Sequence, residues 1–244
     1  MRILVTRPEA DCEDMKQALT ASGHEVLISP LLEIKLEPVP AIDVTDLAAL
    51  VITSQNALRA LAASPQLSEL TNVPLFAVGP RTAQVAQGLG FSQIIEGPGT
   101  GWELAEIISG CELSKGGRIV HLAGDKLAFD MQGALSALGY RAETIGCYRS
   151  VPARKFTSEA ETAIRQGRID IVTLLSPRTA KTFVALIKSG GLEEQARSIS
   201  YACISEAARK FPADEGWPST HVALRPNGQE VLALVNRMAS QSEQ

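Results

Sequence analysis

The sequence is short of most features that would classify it at once. Its four cysteines, Cys12, Cys111, Cys147 and Cys203, are far apart and form no CxxC pair. That spacing argues against a disulfide framework or a thiolate metal site and fits small thiols kept reduced. Three histidines, His24, His121 and His221, are equally dispersed, with no HxxxH or HExxH spacing, so no zinc or iron site is expected. Basic residues are not in excess: 23 Lys and Arg stand against 27 Asp and Glu, a formal net charge of −4. A general nucleic-acid binder would need a basic face, so an anionic ligand must be held by a local site. No apolar run approaches the roughly 20 residues of a membrane span. The opening MRILVTRP is too short for a signal peptide and is ended by Pro8. A cytoplasmic location is therefore expected.

What is present is a regular alternation of short β-branched runs with amphipathic segments. The runs predict strands at Ile3–Val5, Glu25–Ile28, Leu50–Thr53, Leu75–Val78, Gln93–Ile95, Arg118–Leu122, Arg141–Ile145, Ile171–Leu174, Ser200–Ile204 and His221–Leu224. Several are apolar on both faces, as strands covered by helices on two sides must be. The segments between them predict helices at Pro8–Ser22, Gln55–Ser64, Arg81–Leu89, Trp102–Ser109, Leu127–Leu138, Ser158–Gln166, Pro177–Ser189, Glu206–Phe211 and Gln229–Ala239. Strand–helix alternation with short loops implies parallel sheets with right-handed crossovers, here two sheets of about five strands.

An internal repeat supports that division. Arg2–Gly23 matches Arg118–Gly139 at a constant offset, with identities at Arg2/Arg118, Ile3/Ile119, Asp14/Asp130, Leu19/Leu135 and Gly23/Gly139 among others. ALVITSQNALRAL resembles DIVTLLSPRTAKTF, with Ser54 opposite Ser176, and FAVGPRTAQVAQGLGF sits opposite ACISEAARKFPADEGW, with Gly79 opposite Ser205. Two arrangements satisfy the repeat. Either each domain is contiguous, or the chain crosses over and its first strands join its last. LLEIKLEPVP and CYRSVPA, with Pro38, Pro40 and Pro152, read as extended linkers.

In open parallel sheets, ligands sit beyond the carboxyl ends of the strands, against helix N-termini. Those positions here are rich in hydroxyls, glycines and cations, including Arg7, Arg81, Lys126, Arg149, Arg178 and Arg225. They suit a carboxylate-rich or phosphate-bearing ligand, although N-cap hydroxyls and solvated arginines have a plain structural account as well. There is no GxGxxG or GxxxxGK[ST] phosphate loop, no GxSxG elbow and no acidic cluster at the strand ends. An enzyme of this composition would work without a metal, a nucleotide or a covalent nucleophile, by positioning and electrostatics. Tyr148, one of three tyrosines, stands at the second linker, where a phenol could donate to a departing oxygen or merely pack the hinge.

Taken together, ILVTRPE followed by LxxxGHEV, VITSQNA, AVGPRTA, GCYR before a Pro-containing linker, LLSPRTAKTF and ISEAA with a late Gly-Trp resemble the uroporphyrinogen-III synthases. The resemblance runs through nearly the whole chain. It implies two flavodoxin-like domains, each a parallel five-stranded sheet with helices on both faces, joined by a two-stranded linker. The first would comprise residues 1–36 and 150–244, and the second residues 37–149. It implies cofactor-independent cyclisation of linear hydroxymethylbilane to uroporphyrinogen III, with inversion of ring D and loss of water, in an inter-domain cleft. Tyr148 would assist departure of the hydroxyl. Arg7, Thr53, Ser54, Gly79, Thr82, Ser176 and Ser205 would contact the substrate's carboxylate arms, although Ser205–Glu206 departs from the commoner Gly followed by Thr. The protein would act as a monomer, with transient contact to the enzyme that makes hydroxymethylbilane. The alternative is a non-catalytic two-domain binding or sensor protein for an anionic small molecule.

Overall fold

The computed structural model describes residues 1–8, 12–113 and 117–241. In chain order the elements are β1 (Arg2–Val5), α1 (Glu13–Ala21), β2 (Glu25–Ile28), β3 (Leu32–Leu36), β4 (Leu47–Ile52), α2 (Gln55–Ala62), α3 (Leu67–Leu70), β5 (Leu75–Ala77), α4 (Pro80–Gly88), β6 (Ile94–Glu96) and α5 (Gly101–Ser109). There follow β7 (Arg118–Gly124), α6 (Met131–Ala137), β8 (Arg141–Pro152), α7 (Ser158–Arg165), β9 (Ile171–Leu174), α8 (Pro177–Gly190), α9 (Glu193–Ala196), β10 (Ser200–Cys203), α10 (Glu206–Asp214), β11 (Thr220–Val222) and α11 (Gly228–Gln241). The chain divides into two compact units, residues 1–33 with 151–244 and residues 34–150.

The first unit carries a five-stranded parallel sheet in the order β11-β10-β9-β1-β2. β1 lies beside β9, with Ile3 opposite Ile171, so the first strand of the chain is completed by its last third. The second unit carries six strands in the order β3-β8-β7-β4-β5-β6. Five of them are parallel. The sixth is β3, part of the LLEIKLEPVP stretch. Glu37 N–H donates to the Cys147 carbonyl and Ala153 N–H to the Leu31 carbonyl, so β3 runs antiparallel to β8. The expectation of two five-stranded sheets is corrected to five and six, because a segment read as linker joins the second sheet. With β1 matched to β7 by the repeat, both sheets share one strand order, 2-1-3-4-5.

Side-chain alternation builds a core on each face. In the first sheet Ile3, Val5, Ile171 and Ala202 face Met15, Leu19 and Val235 of α1 and α11, while Leu4, Val172, Leu174 and Tyr201 face Phe183, Ile187 and Ala208 of α8 and α10. In the second, Leu50, Ile52 and Val120 face Leu58 and Leu61 of α2, while Ala49, Val51 and Ile119 face Leu104, Ile108 and Leu135 of α5 and α6. This two-sided burial is why the strands read as unbroken apolar runs.

Local chemistry sets the helix ends. Ser54, Thr100, Asp130, Thr157, Ser176 and Ser205 cap helices with their side chains, and Pro80 and Pro177 occupy first-turn positions. Gly23 and Gly139 follow α1 and α6 at φ 82° and 89°, a region that favours glycine. Three expectations are corrected. The helix placed at Pro8 begins at Glu13, and residues 9–11 of that expected span lie outside the described residues. The helix placed at Leu127 begins at Met131, where Asp130 accepts from Gly133 N–H. α10 runs through the buried Pro212 to Asp214 instead of stopping at Phe211. Among the described residues, no helix is long and apolar enough to cross a membrane.

Candidate active site

A pocket of about 470 Å³ opens at the carboxyl ends of β4, β5, β7 and β8, wholly within the second unit. Its polar wall holds Thr53, His121, Tyr148, Lys126 and the backbone at Gly99–Gly101; its apolar wall holds Trp102, Leu127, Ala128 and Phe129. Trp102 and Leu127 are 58% and 48% exposed, so the pocket offers aromatic and aliphatic surface to solvent. A side-chain carbon at Gly101 would lie 3.0–3.2 Å from Phe129, so glycine there lets the first turn of α5 close on that ring.

Tyr148 lies near the end of β8, with its backbone carbonyl accepting from Asp125 N–H at 3.0 Å. Its ring covers Gly124, where an added Cβ would come within 2.5 Å of Cε2 and 3.0 Å of the hydroxyl. Burial pushes the phenol pKa upward, opposed by hydrogen bonds with the Ser54 side chain and the Gly124 backbone. The phenol is therefore protonated at neutral pH and able to donate. Ser54 also accepts from Asn56 N–H at 3.2 Å as the cap of α2.

The most buried member of the polar wall is His121, which is 2% exposed. Its Nε2 is 2.9 Å from Thr53 Oγ1 and its Nδ1 is 3.3 Å from Thr144 Oγ1. Burial lowers its pKa to about 4, so the ring is neutral at physiological pH. The sequence reading considered histidines only by their spacing and passed this one over. The available signal was a lone polar residue inside the apolar run of β7.

Five of the eight expected site residues fall in this unit. Thr53 and Tyr148 line the pocket and Ser54 bonds to Tyr148. Gly79 caps α4 in extended backbone, where an added Cβ would meet the Gly99 Cα at 3.6 Å, and Thr82 is buried in the first turn. The other three belong to the first unit. Ser176 caps α8, accepting from Thr179 N–H at 3.0 Å, and Ser205 caps α10, accepting from Ala208 N–H at 3.4 Å. Arg7 is half-buried beside the start of α11, its Nη1 within 3.6 Å of where a Gly228 Cβ would stand. Glu206, after Ser205, is paired with Arg209 at 2.7 Å. Arg149 is paired with Glu37 at 2.5 Å. Among the described residues, no group of three or more His, Cys, Asp or Glu side chains is placed to hold a metal ion.

The family model described as HEM4, uroporphyrinogen-III synthase HemD, matches residues 13–233. The chain belongs to the uroporphyrinogen-III synthase family. It is thus assigned to the cofactor-independent cyclising lyases of tetrapyrrole biosynthesis, and the sensor alternative is set aside. The family implies a tetrapyrrole substrate. Among solved structures, the chain is similar to uroporphyrinogen-III synthetase from Helicobacter pylori 26695, at a TM-score of 0.66 and 19% identity, covering 98% of this chain and 100% of that one. It is also similar to a mutant uroporphyrinogen III synthase from the extremely thermophilic bacterium Thermus thermophilus, at a TM-score of 0.52 and 17% identity, covering 99% of each chain. At these identities the likeness speaks for the fold. No curated protein matches the sequence.

Proposed function

We propose that this chain converts hydroxymethylbilane to uroporphyrinogen III at the pocket of the second unit, with Tyr148 as the group that assists departure of the terminal hydroxyl. The observation that carries this reading is the protonated phenol of Tyr148, held by Ser54 and Gly124 in a pocket with apolar and polar walls. Loss of hydroxide from the terminal hydroxymethyl group leaves a cationic methylene on its pyrrole. The phenol donates to the leaving oxygen, so that water departs. The methylene carbon is then attacked by the substituted carbon of ring D, giving a spiro intermediate that rearranges to the inverted macrocycle. The proton released on ring closure returns to the tyrosinate, and the step balances as bilane to macrocycle plus water.

The regiochemical problem is to hold a flexible chain so that the inverted closure wins. Trp102, Leu127 and Phe129 offer faces on which a pyrrole can lie. Thr53, Ser54, Gly79 and Thr82 contribute hydroxyls and helix-start N–H groups suited to acetate and propionate arms. The proposal extends to Arg7, Ser176 and Ser205, which present a guanidinium and two N-cap hydroxyls at strand ends of the first unit. The same reading has the protein act as a cytoplasmic monomer in transient contact with the enzyme that makes hydroxymethylbilane.

The test supplies hydroxymethylbilane made in situ, oxidises the products and separates isomers I and III by chromatography. Isomer III in excess over an enzyme-free control is expected. Isomer I alone, from folded protein and intact substrate, would reject the reading.

A further inference from the structure

The two units share one strand order, so each corner of one sheet has a counterpart in the other. In the second unit, one corner behind the pocket is Thr53, His121 and Thr144, joined through both ring nitrogens of the buried histidine. His121 is in register with Thr144 on one side and with Val51 on the other. In the first unit Val5 stands in register with Ile28 and Thr173 in the same way. The counterparts of Thr53, His121 and Thr144 are therefore Leu175, Val5 and Ile28, and all three pack in one hydrophobic cluster. An apolar trio closes this corner without difficulty. Burying an imidazole there against two half-buried hydroxyls is not required by the fold, since desolvation leaves paired polar groups in a core with little net advantage over hydrocarbon.

We propose that His121 is a positioning residue for the cyclisation, fixing the Thr53 hydroxyl so that its proton is directed into the pocket. The inference rests on the reading that this pocket holds the bilane. A threonine hydroxyl has one proton. If that proton is spent on His121, Thr53 offers the pocket only lone pairs, which repel a carboxylate or a departing hydroxide. A neutral imidazole has one donor and one acceptor nitrogen. With the Thr144 hydroxyl donating to Nδ1, the ring proton sits on Nε2 and is donated to Thr53. The Thr53 proton is then free for substrate. Tyr148 and Lys126 are the other ionisable groups lining the same pocket.

The test compares kcat, KM and the isomer III fraction for the wild type, His121→Val, His121→Gln, Thr53→Val and the His121→Val/Thr53→Val double variant, with thermal melts alongside. His121→Val introduces the residue type that the first unit carries at this place and is expected to fold. Its kcat should fall about tenfold, the worth of one well-placed hydrogen bond, with KM within about twofold. His121→Gln, whose amide can still donate to Thr53, should recover most of the loss. The double variant should be no slower than Thr53→Val alone, because both changes remove one interaction. Wild-type kcat in His121→Val, or losses that multiply in the double variant, would overturn the proposal. Should His121→Val fail to melt cooperatively, Thr144→Val leaves the ring in place and is expected to lower kcat about threefold; unchanged kcat there would overturn it. A wild-type protein that yields isomer I alone overturns the underlying reading, and it does so before any substitution is made.

Discussion

The two units are built alike at one edge of their sheets and unlike at the other. At the amino edge, Arg2 and Arg118 occupy the same place in the repeat and do the same work. Arg2 N–H donates to Asp170 at 2.6 Å and its guanidinium meets Glu25 at 2.7 Å. Arg118 N–H donates to the Asp46 carbonyl at 2.7 Å, and its guanidinium meets Asp46 at 3.2 Å and Glu143 at 2.5 Å. Each arginine ties its own strand to an acid on the second strand and to the turn entering the third. At the carboxyl edge the resemblance ends: Leu175, Val5 and Ile28 close the first sheet with hydrocarbon, where the second has Thr53, His121 and Thr144. Tyr201 and Tyr148 differ in the same way. Tyr201 of the first unit is fully buried among Phe183 and Trp217, its hydroxyl spent on the Ala196 carbonyl at 2.7 Å. Tyr148 of the second is half-exposed at a pocket. A duplicated fold can thus keep its stabilising device in both copies while this one corner is polar in the second and apolar in the first, where the buried Thr6 and Thr173 hydroxyls are instead spent on main-chain carbonyls.

The largest consequence of that difference is a pH response. His121 has a folded pKa near 4, below the ordinary 6.5. The unfolded chain therefore binds its proton first, and stability present above pH 6.5 is lost as the pH falls toward 4. The shift corresponds to about 3 kcal/mol at full development. His121→Val should flatten that part of the stability–pH curve, measured by denaturant melts, and an unchanged slope would mean that other groups carry it. Next in size, Tyr148→Phe should lower turnover on the order of 100-fold, at the lower end for a lost general acid, with an unaltered melt. An unchanged turnover number would remove the phenol from the chemistry. Gly124→Ala forces the Tyr148 ring away from a contact of 2.5 Å and should cost about tenfold in kcat. Gly146→Ala, which meets nothing within 4 Å, should leave turnover unaltered. Smallest is the amino edge: Arg118→Ala should cost about 1 kcal/mol by removing the guanidinium bond to the Asp43 carbonyl at 2.6 Å and screened ion pairs, and Arg2→Ala, which loses only an ion pair, should have a smaller effect, with kcat untouched in both.

Much of the fold was legible because the strands are buried on both faces. Glu25–Ile28 and Ile171–Leu174 coincide with β2 and β9. The four-residue helices α3 and α9 are too short to show a period and went unread. Pro8 suggested a first-turn proline, but α1 starts five residues later at Glu13. The helix expected to stop at Phe211 runs on through Pro212 to Asp214. For the site, reading strand ends drew attention to Thr53 and Tyr148, because parallel sheets expose those positions. His121 escaped because its partners, Thr53 and Thr144, are brought to it by sheet register and not by spacing along the chain. The repeat did hold the clue, since it sets His121 opposite Val5, a polar residue opposite an apolar one inside a strand.

As proposed, the pocket of the second unit receives the tetrapyrrole. The chain has three histidines, His121 at that pocket and His24 and His221 in the first unit, so its imidazole NMR spectrum has three ring systems to follow. Uroporphyrinogen III, kept reduced, is titrated onto protein with labelled histidine. The His121 resonances are expected to shift saturably, with Nε2 carrying the ring proton, while His24 and His221 stay within a small fraction of that change. Saturable binding that moves His24 or His221 and leaves His121 unmoved would contradict the proposal.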